Sequence, residues 1–167
     1  NDMIPVGTVP KPGQVIESNM YMAASLITAA GGKVTHYSVI PDDTQKIRKM
    51  VKYAADRHDI VLISAGSSKG SKDRTAEVIA ELGTILVHGV AIKPGRPVII
   101  GEVNTIPVIG MPGYPSSFYT VLREIVMPLL GWYGFSLPSP DEIPVTLTNE
   151  IFSNPGIDEF VPVTVGK

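Results

Sequence analysis

Short apolar strands that alternate with amphipathic helices constrain this chain more than any other feature. Ser18 stands where it can cap a helix over about 19–30, in which Met20, Ala23, Ala24, Ile27 and Ala30 share a face, and Gly31 with Gly32 stops it. The pattern predicts a strand over 34–40. Pro41, Asp42 and Asp43 then open a second helix whose Ile47, Met50, Val51 and Ala54 recur at helical spacing. A buried strand over 60–64, a helix over 75–82 ended by Gly83, strands over 85–88, 98–101 and 108–110, and a helix from 115 to about 130 follow. Each crossover lays its helix on the sheet, so the reading is a three-layer α/β/α domain with a mostly parallel sheet. Beyond Gly131 the pattern breaks into prolines, turns and short β-prone runs at 145–147 and 160–165. The expected division is an α/β domain over 1–132, then a linker and the start of a C-terminal β module over 133–167.

With 167 residues, 44% of them hydrophobic, the chain can bury a sizeable core. Its formal charge of -2 and interspersed signs offer no basic face for nucleic acid and no polybasic membrane anchor. No apolar run approaches the roughly 20 residues of a membrane span. Cysteine is absent, which excludes disulfides and thiolate metal sites and agrees with a reducing cytoplasm. The chain opens at Asn1 without a targeting pattern and reads as a piece of a longer protein.

In open α/β sheets, ligands collect beyond the carboxyl ends of the strands. The loop "SAGSSKGSKD" leaves one such end. Gly66 and Gly70 allow sharp turns, Ser67, Ser68 and Ser71 add hydroxyls, and a helix N-terminus follows, an arrangement suited to phosphate or to an ordinary polar surface loop. The spacing matches neither a Walker loop nor a dinucleotide fingerprint. A second loop, "GMPGYPSSF", places Pro115 at the first turn of a helix, with Ser116 and Ser117 among unpaired N–H groups and Gly113 expected at positive φ, a second anion cradle or a proline-stiffened connection. Two cradles on one sheet edge point to a ligand with separated acidic groups.

Asp42 and Asp43 enter a helix, and capping accounts for one of them but not for both. Asp73 precedes the helix expected at Thr75, where it either caps or, beside phosphates, serves as a hard oxygen ligand for Mg²⁺. Lys93 and Arg96 flank a Pro94-Gly95 turn and supply positive charge for an oxyanion, or form a solvated turn. His36, His58 and His88 have no metal-ligand spacing.

Taken in order, "GQVIESN", "VIPDD", "SAGSSKGSKD", "HGVAIKPGRP" and "GMPGYPSSF" resemble the molybdopterin-binding domain of molybdenum cofactor biosynthesis proteins, over about residues 1–132. The KPG turn, the G-x-x-D end of the glycine loop and the proline-rich tail resemble the molybdopterin molybdotransferase (MoeA) branch. That resemblance implies an enzyme that takes adenylylated molybdopterin and molybdate, releases AMP in a step dependent on Mg²⁺ or another divalent cation, and leaves molybdenum on the dithiolene. It implies catalytic roles for Asp42, Asp43 and Asp73, with Asp42 and Asp73 on the metal and Glu17 as a further acidic candidate. Ligand contacts are implied for Glu17, Asn19, Ser64, Gly66, Ser67, Ser68, Gly70, Lys93, Gly95, Arg96, Pro112, Gly113, Pro115 and Ser116. A homodimer is expected on the same ground.

The chain departs from the family pattern at Ala65, Lys69 and Tyr114, and the family's first strand would precede Asn1. Two other readings stay open beside the molybdotransferase, namely a single-domain molybdopterin adenylyltransferase and a non-catalytic binding or scaffolding member. The tail after Gly131 favours the molybdotransferase, because a single-domain enzyme needs no further β module.

Overall fold

The computed structural model describes residues 3–41, 43–64, 71–137 and 141–166, with 71–73 described as backbone. In chain order the elements are β1 (Met3–Ile4), β2 (Val15–Ile16), α1 (Asn19–Ala29), α2 (Thr44–Ala55), β3 (Val61–Ser64) and α3 (Ser71–Leu82). Then come β4 (Thr84–His88), β5 (Ile92–Lys93), β6 (Ile99–Val103), β7 (Ile106–Met111), α4 (Pro115–Val121), a π-helical turn (Leu122–Val126), α5 (Met127–Trp132) and β8 (Asp158–Glu159).

The central sheet has the order β3-β7-β6-β4. β3 and β7 pair in parallel, whereas β6 is antiparallel to both β7 and β4, so three strands point one way and β6 opposes them. The reversal comes from a tight hairpin between β6 and β7. Asn104 and Thr105 at its tip both take positive φ, 52° and 66°, the geometry that a two-residue hairpin turn requires. The sheet is therefore mixed, within the expected α/β class.

Side-chain alternation divides the core between the two faces of this sheet. Val61 and Val108 pack with Val51 and Ala54 of α2 and with Val78 and Ile79 of α3. Ile109 and Met111 pack on the other face with Ala23 of α1 and with Phe118, Val121, Leu122 and Val126 of the C-terminal helix. Three layers result. The π-helical turn lies immediately before Met127 and Pro128, where proline's missing N–H would interrupt a regular α-helical ladder.

The strand expected over 34–40 is not formed. Among the described residues β3 pairs only with β7, and between its other edge and residues 33–37 lies a cavity of about 200 Å³. Val61 and Leu62 of β3, Ala54 from one layer, and Ala23 and Val126 from the other line it. Strands must approach to about 4.8 Å to share a ladder. With the cavity in between, residues 33–37 stand off the edge of β3.

Two local expectations also change. Ser18 makes no side-chain cap to α1, and Glu17 does that work instead, its Oε1 accepting the Met20 N–H at 3.0 Å. Helix α3 begins at Ser71 rather than near Thr75, which puts Asp73 inside its first turn instead of before it. Along the tail, β8 is the only strand among the described residues, and neither 145–147 nor 160–165 joins a sheet.

Candidate functional site

The carboxyl ends of β3 and β7 lie side by side, with Ser64 in register with Met111. From Ser64 the chain enters the glycine-serine loop, whose Gly66, Ser67, Ser68 and Gly70 lie outside the described residues. From Met111 it runs through Pro112, Gly113 and Tyr114 into α4, where Pro115 occupies the first turn as its fixed φ favours. Ser116 follows it, and its carbonyl accepts the Thr120 hydroxyl at 3.0 Å.

One hydrogen bond joins motifs 94 residues apart. Asn19, 4% exposed at the start of α1, donates its side-chain amide to the Gly113 carbonyl at 2.9 Å. Its side chain therefore positions the second loop. Gly113 is not among the glycines with positive φ, contrary to expectation, and its backbone instead serves to present that carbonyl.

Beside this contact sits a buried carboxylate. Glu17 is 5% exposed, and while Oε1 caps α1, Oε2 is buried with no hydrogen-bond partner among the described residues. The His36 Nε2 lies 3.8 Å from it, too far for a hydrogen bond, and the His36 ring meets Tyr21 edge-on. The Ser64 hydroxyl is likewise buried and unpartnered. Orphaned buried polar atoms are uncommon because each costs roughly 1–3 kcal/mol, so Glu17 Oε2 and the Ser64 hydroxyl are candidates for contact with a bound group.

Asp43 has the role that capping assigned to one of the paired aspartates. Its Oδ1 accepts from the N–H groups of Gln45 and Lys46 at 2.9 and 3.1 Å. The cap thus needs nothing from Asp42, which lies outside the described residues, as does the Asp73 side chain. Among the described residues no group of three or more acidic, histidine or cysteine side chains could hold a metal ion.

The KPG turn is built against α4. Gly95 has φ of +122°, and a Cβ there would come within 2.9 Å of the Ile92 side chain and 3.0 Å of Val121. Arg96 is exposed and its carbonyl accepts the Val90 N–H. Lys93 is ion-paired with Glu159 at 2.8 Å, a contact that sequence reasoning missed. The hydrogen bond from Lys93 holds the Glu159 carboxyl below the usual carboxylate range; partial desolvation opposes this, while the lysine's charge and the Ser153 hydroxyl assist it.

Residues 2–132 match the family model described as "Probable molybdopterin binding domain". The chain belongs to this family. A Methanocaldococcus jannaschii protein whose name refers to molybdopterin biosynthesis is 40% identical over 128 residues, covering 70% of this chain and 32% of that protein. A Haemophilus influenzae molybdopterin molybdenumtransferase is 28% identical over 130 residues, covering 78% and 32%. Among solved structures, the molybdopterin biosynthesis MoeA protein from Pyrococcus horikosii is 40% identical with a TM-score of 0.70, covering 78% of this chain and 32% of that one. The molybdopterin-binding domain thus spans about a third of the length of these relatives. None of its described helices is long and apolar enough to cross a membrane.

Proposed function

We propose that this molybdopterin-binding domain is the ligand-holding part of a molybdopterin molybdotransferase, which inserts molybdate into adenylylated molybdopterin and releases AMP. The observation that carries the reading is the Asn19–Gly113 hydrogen bond, because it ties two loop motifs to one sheet edge beside the unpartnered Glu17 and Ser64 atoms. The anionic parts of the ligand would lie on the glycine-serine loop and the first turn of α4, where backbone N–H groups and the helix dipole favour negative charge. Mg²⁺, when bound, would offset charge on the scissile phosphate, with Asp42 and Asp73 as its proposed ligands. Asp43 is better assigned to its helix cap.

Docking of the tail on the KPG turn, through pairing of β5 with β8, supports the molybdotransferase over a single-domain adenylyltransferase. Two incubations of the full-length parent separate these branches. Adenylylated molybdopterin with molybdate should release AMP, while molybdopterin with Mg-ATP should give no adenylylated product. The opposite pattern would assign the adenylyltransferase, and neither product would leave a binding or scaffolding member. A cytoplasmic homodimer is part of the same proposal, and static light scattering on the parent at micromolar concentration should return twice the chain mass.

The cavity beside β3, with apolar side chains from both layers in its lining, supports a further strand there. The Ile4 carbonyl accepts the Glu17 N–H at 2.8 Å, and Glu17 neighbours His36 on the cavity wall, so β1 is tied to a residue beside the opening. We assign this strand to the parent sequence upstream of Asn1. Extending the chain by that segment should raise Tm by at least about 5 °C through added apolar burial and ladder bonds. An unchanged Tm would contradict the assignment.

A further inference from the structure

The tail carries a carboxylate onto the candidate anion turn, and it does so through backbone pairing. β5 and β8 run in parallel with Lys93 opposite Glu159, held by hydrogen bonds from the Asp158 N–H to the Ala91 carbonyl at 2.9 Å and from the Phe160 N–H to the Lys93 carbonyl at 2.8 Å. The ladder fixes where the acid sits. The Glu159 side chain is 14% exposed, whereas that of Lys93 is 56% exposed. An incoming anion can therefore reach Lys93, but it meets a carboxylate already at 2.8 Å.

We propose that Glu159 is an internal competitor for anions at Lys93, an affinity-setting residue that restricts the KPG turn to multiply charged oxyanions. The inference rests on the reading of that turn as an anion site. A singly charged anion would replace the carboxylate charge for charge and gain little. A doubly charged oxyanion gains about twice the Coulomb attraction at the same distance, and Glu159 lowers its affinity without abolishing it. Displacement breaks only the ion pair, because the β5–β8 hydrogen bonds are made by backbone and can persist.

Calorimetric titration of the 167-residue chain with molybdate alone tests this. Glu159→Gln should tighten molybdate binding at least about threefold, in keeping with an exposed ion pair of modest strength. Glu159→Asp, which keeps the charge but retracts it, should fall between. Asp158→Asn removes the same charge from the neighbouring position, whose side chain lies on the opposite side of the strand, and should leave affinity unchanged. Equal affinity in wild type and Glu159→Gln, or equal tightening by Asp158→Asn, would overturn the competition. Lys93→Met separates the two levels. If it does not weaken molybdate binding, the anion reading of the turn fails; if it weakens binding while Glu159→Gln gives no gain, only the competition fails.

Discussion

In the full-length parent, Asp73→Asn lowers the rate of AMP release at least about tenfold, roughly 1.4 kcal/mol of barrier, while the fold stays intact. The expectation follows from the position of Asp73 in the first turn of α3. A carboxylate in the first turn of a helix contributes to stability through the helix dipole, typically about 0.3–1 kcal/mol, so neutralisation should shift Tm by less than about 4 °C. A metal or phosphate contact depends on the negative oxygen itself. Chromatographic assay of AMP alongside thermal unfolding checks both halves, and equal activity with equal stability would leave Asp73 as a residue of the helix start.

Gly95→Val should cost at least about 2 kcal/mol of stability, because backbone strain and overpacking act together. Its φ of +122° disfavours any side chain, and a Cβ would press on Ile92 and on Val121 of α4. Gly134→Ala is the control: φ there is +87°, but nothing lies within 4 Å of the added Cβ, so only the strain remains. Urea unfolding of the two variants should separate them clearly. Equal losses would contradict the close packing of the KPG turn on α4. Because Lys93 lies in β5 at the start of that turn, molybdate affinity should fall in Gly95→Val as well.

Much of the architecture was legible because helical and strand periodicities are local signals. The faces read for the first two helices and the short strands at 60–64 and 108–110 reappear as α1, α2, β3 and β7. What local patterns could not carry was pairing. Residues 34–40 have strand composition, yet a ladder forms only where two backbones meet, and the cavity holds residues 33–37 away from β3. The direction of β6 was equally hidden, since it depends on Asn104 and Thr105 adopting positive φ, for which Thr105 gives no compositional cue.

At the site, the cap on α2 was readable as one aspartate's role, and Asp43 fills it. Ser18 was the expected cap for α1, but the neighbouring Glu17 reaches the Met20 N–H, a choice set by side-chain length and burial. The Asn19–Gly113 and Lys93–Glu159 contacts span 94 and 66 positions of the sequence. No periodicity reports such distances. The motifs signalled that these loops mattered, and the fold determines which side chains position the loops and which remain for a ligand.

The most direct test is a titration of the full-length parent with adenylylated molybdopterin, comparing wild type with Gly70→Val and Asn19→Ala. Gly70→Val alters the glycine-serine loop, and Asn19→Ala releases the Gly113 carbonyl from its partner while leaving that loop's sequence intact. The account predicts saturable binding by wild type, weakened at least about tenfold in each variant, with both variants still folding cooperatively. Wild-type affinity in both folded variants would contradict the claim that the carboxyl ends of β3 and β7 hold the ligand.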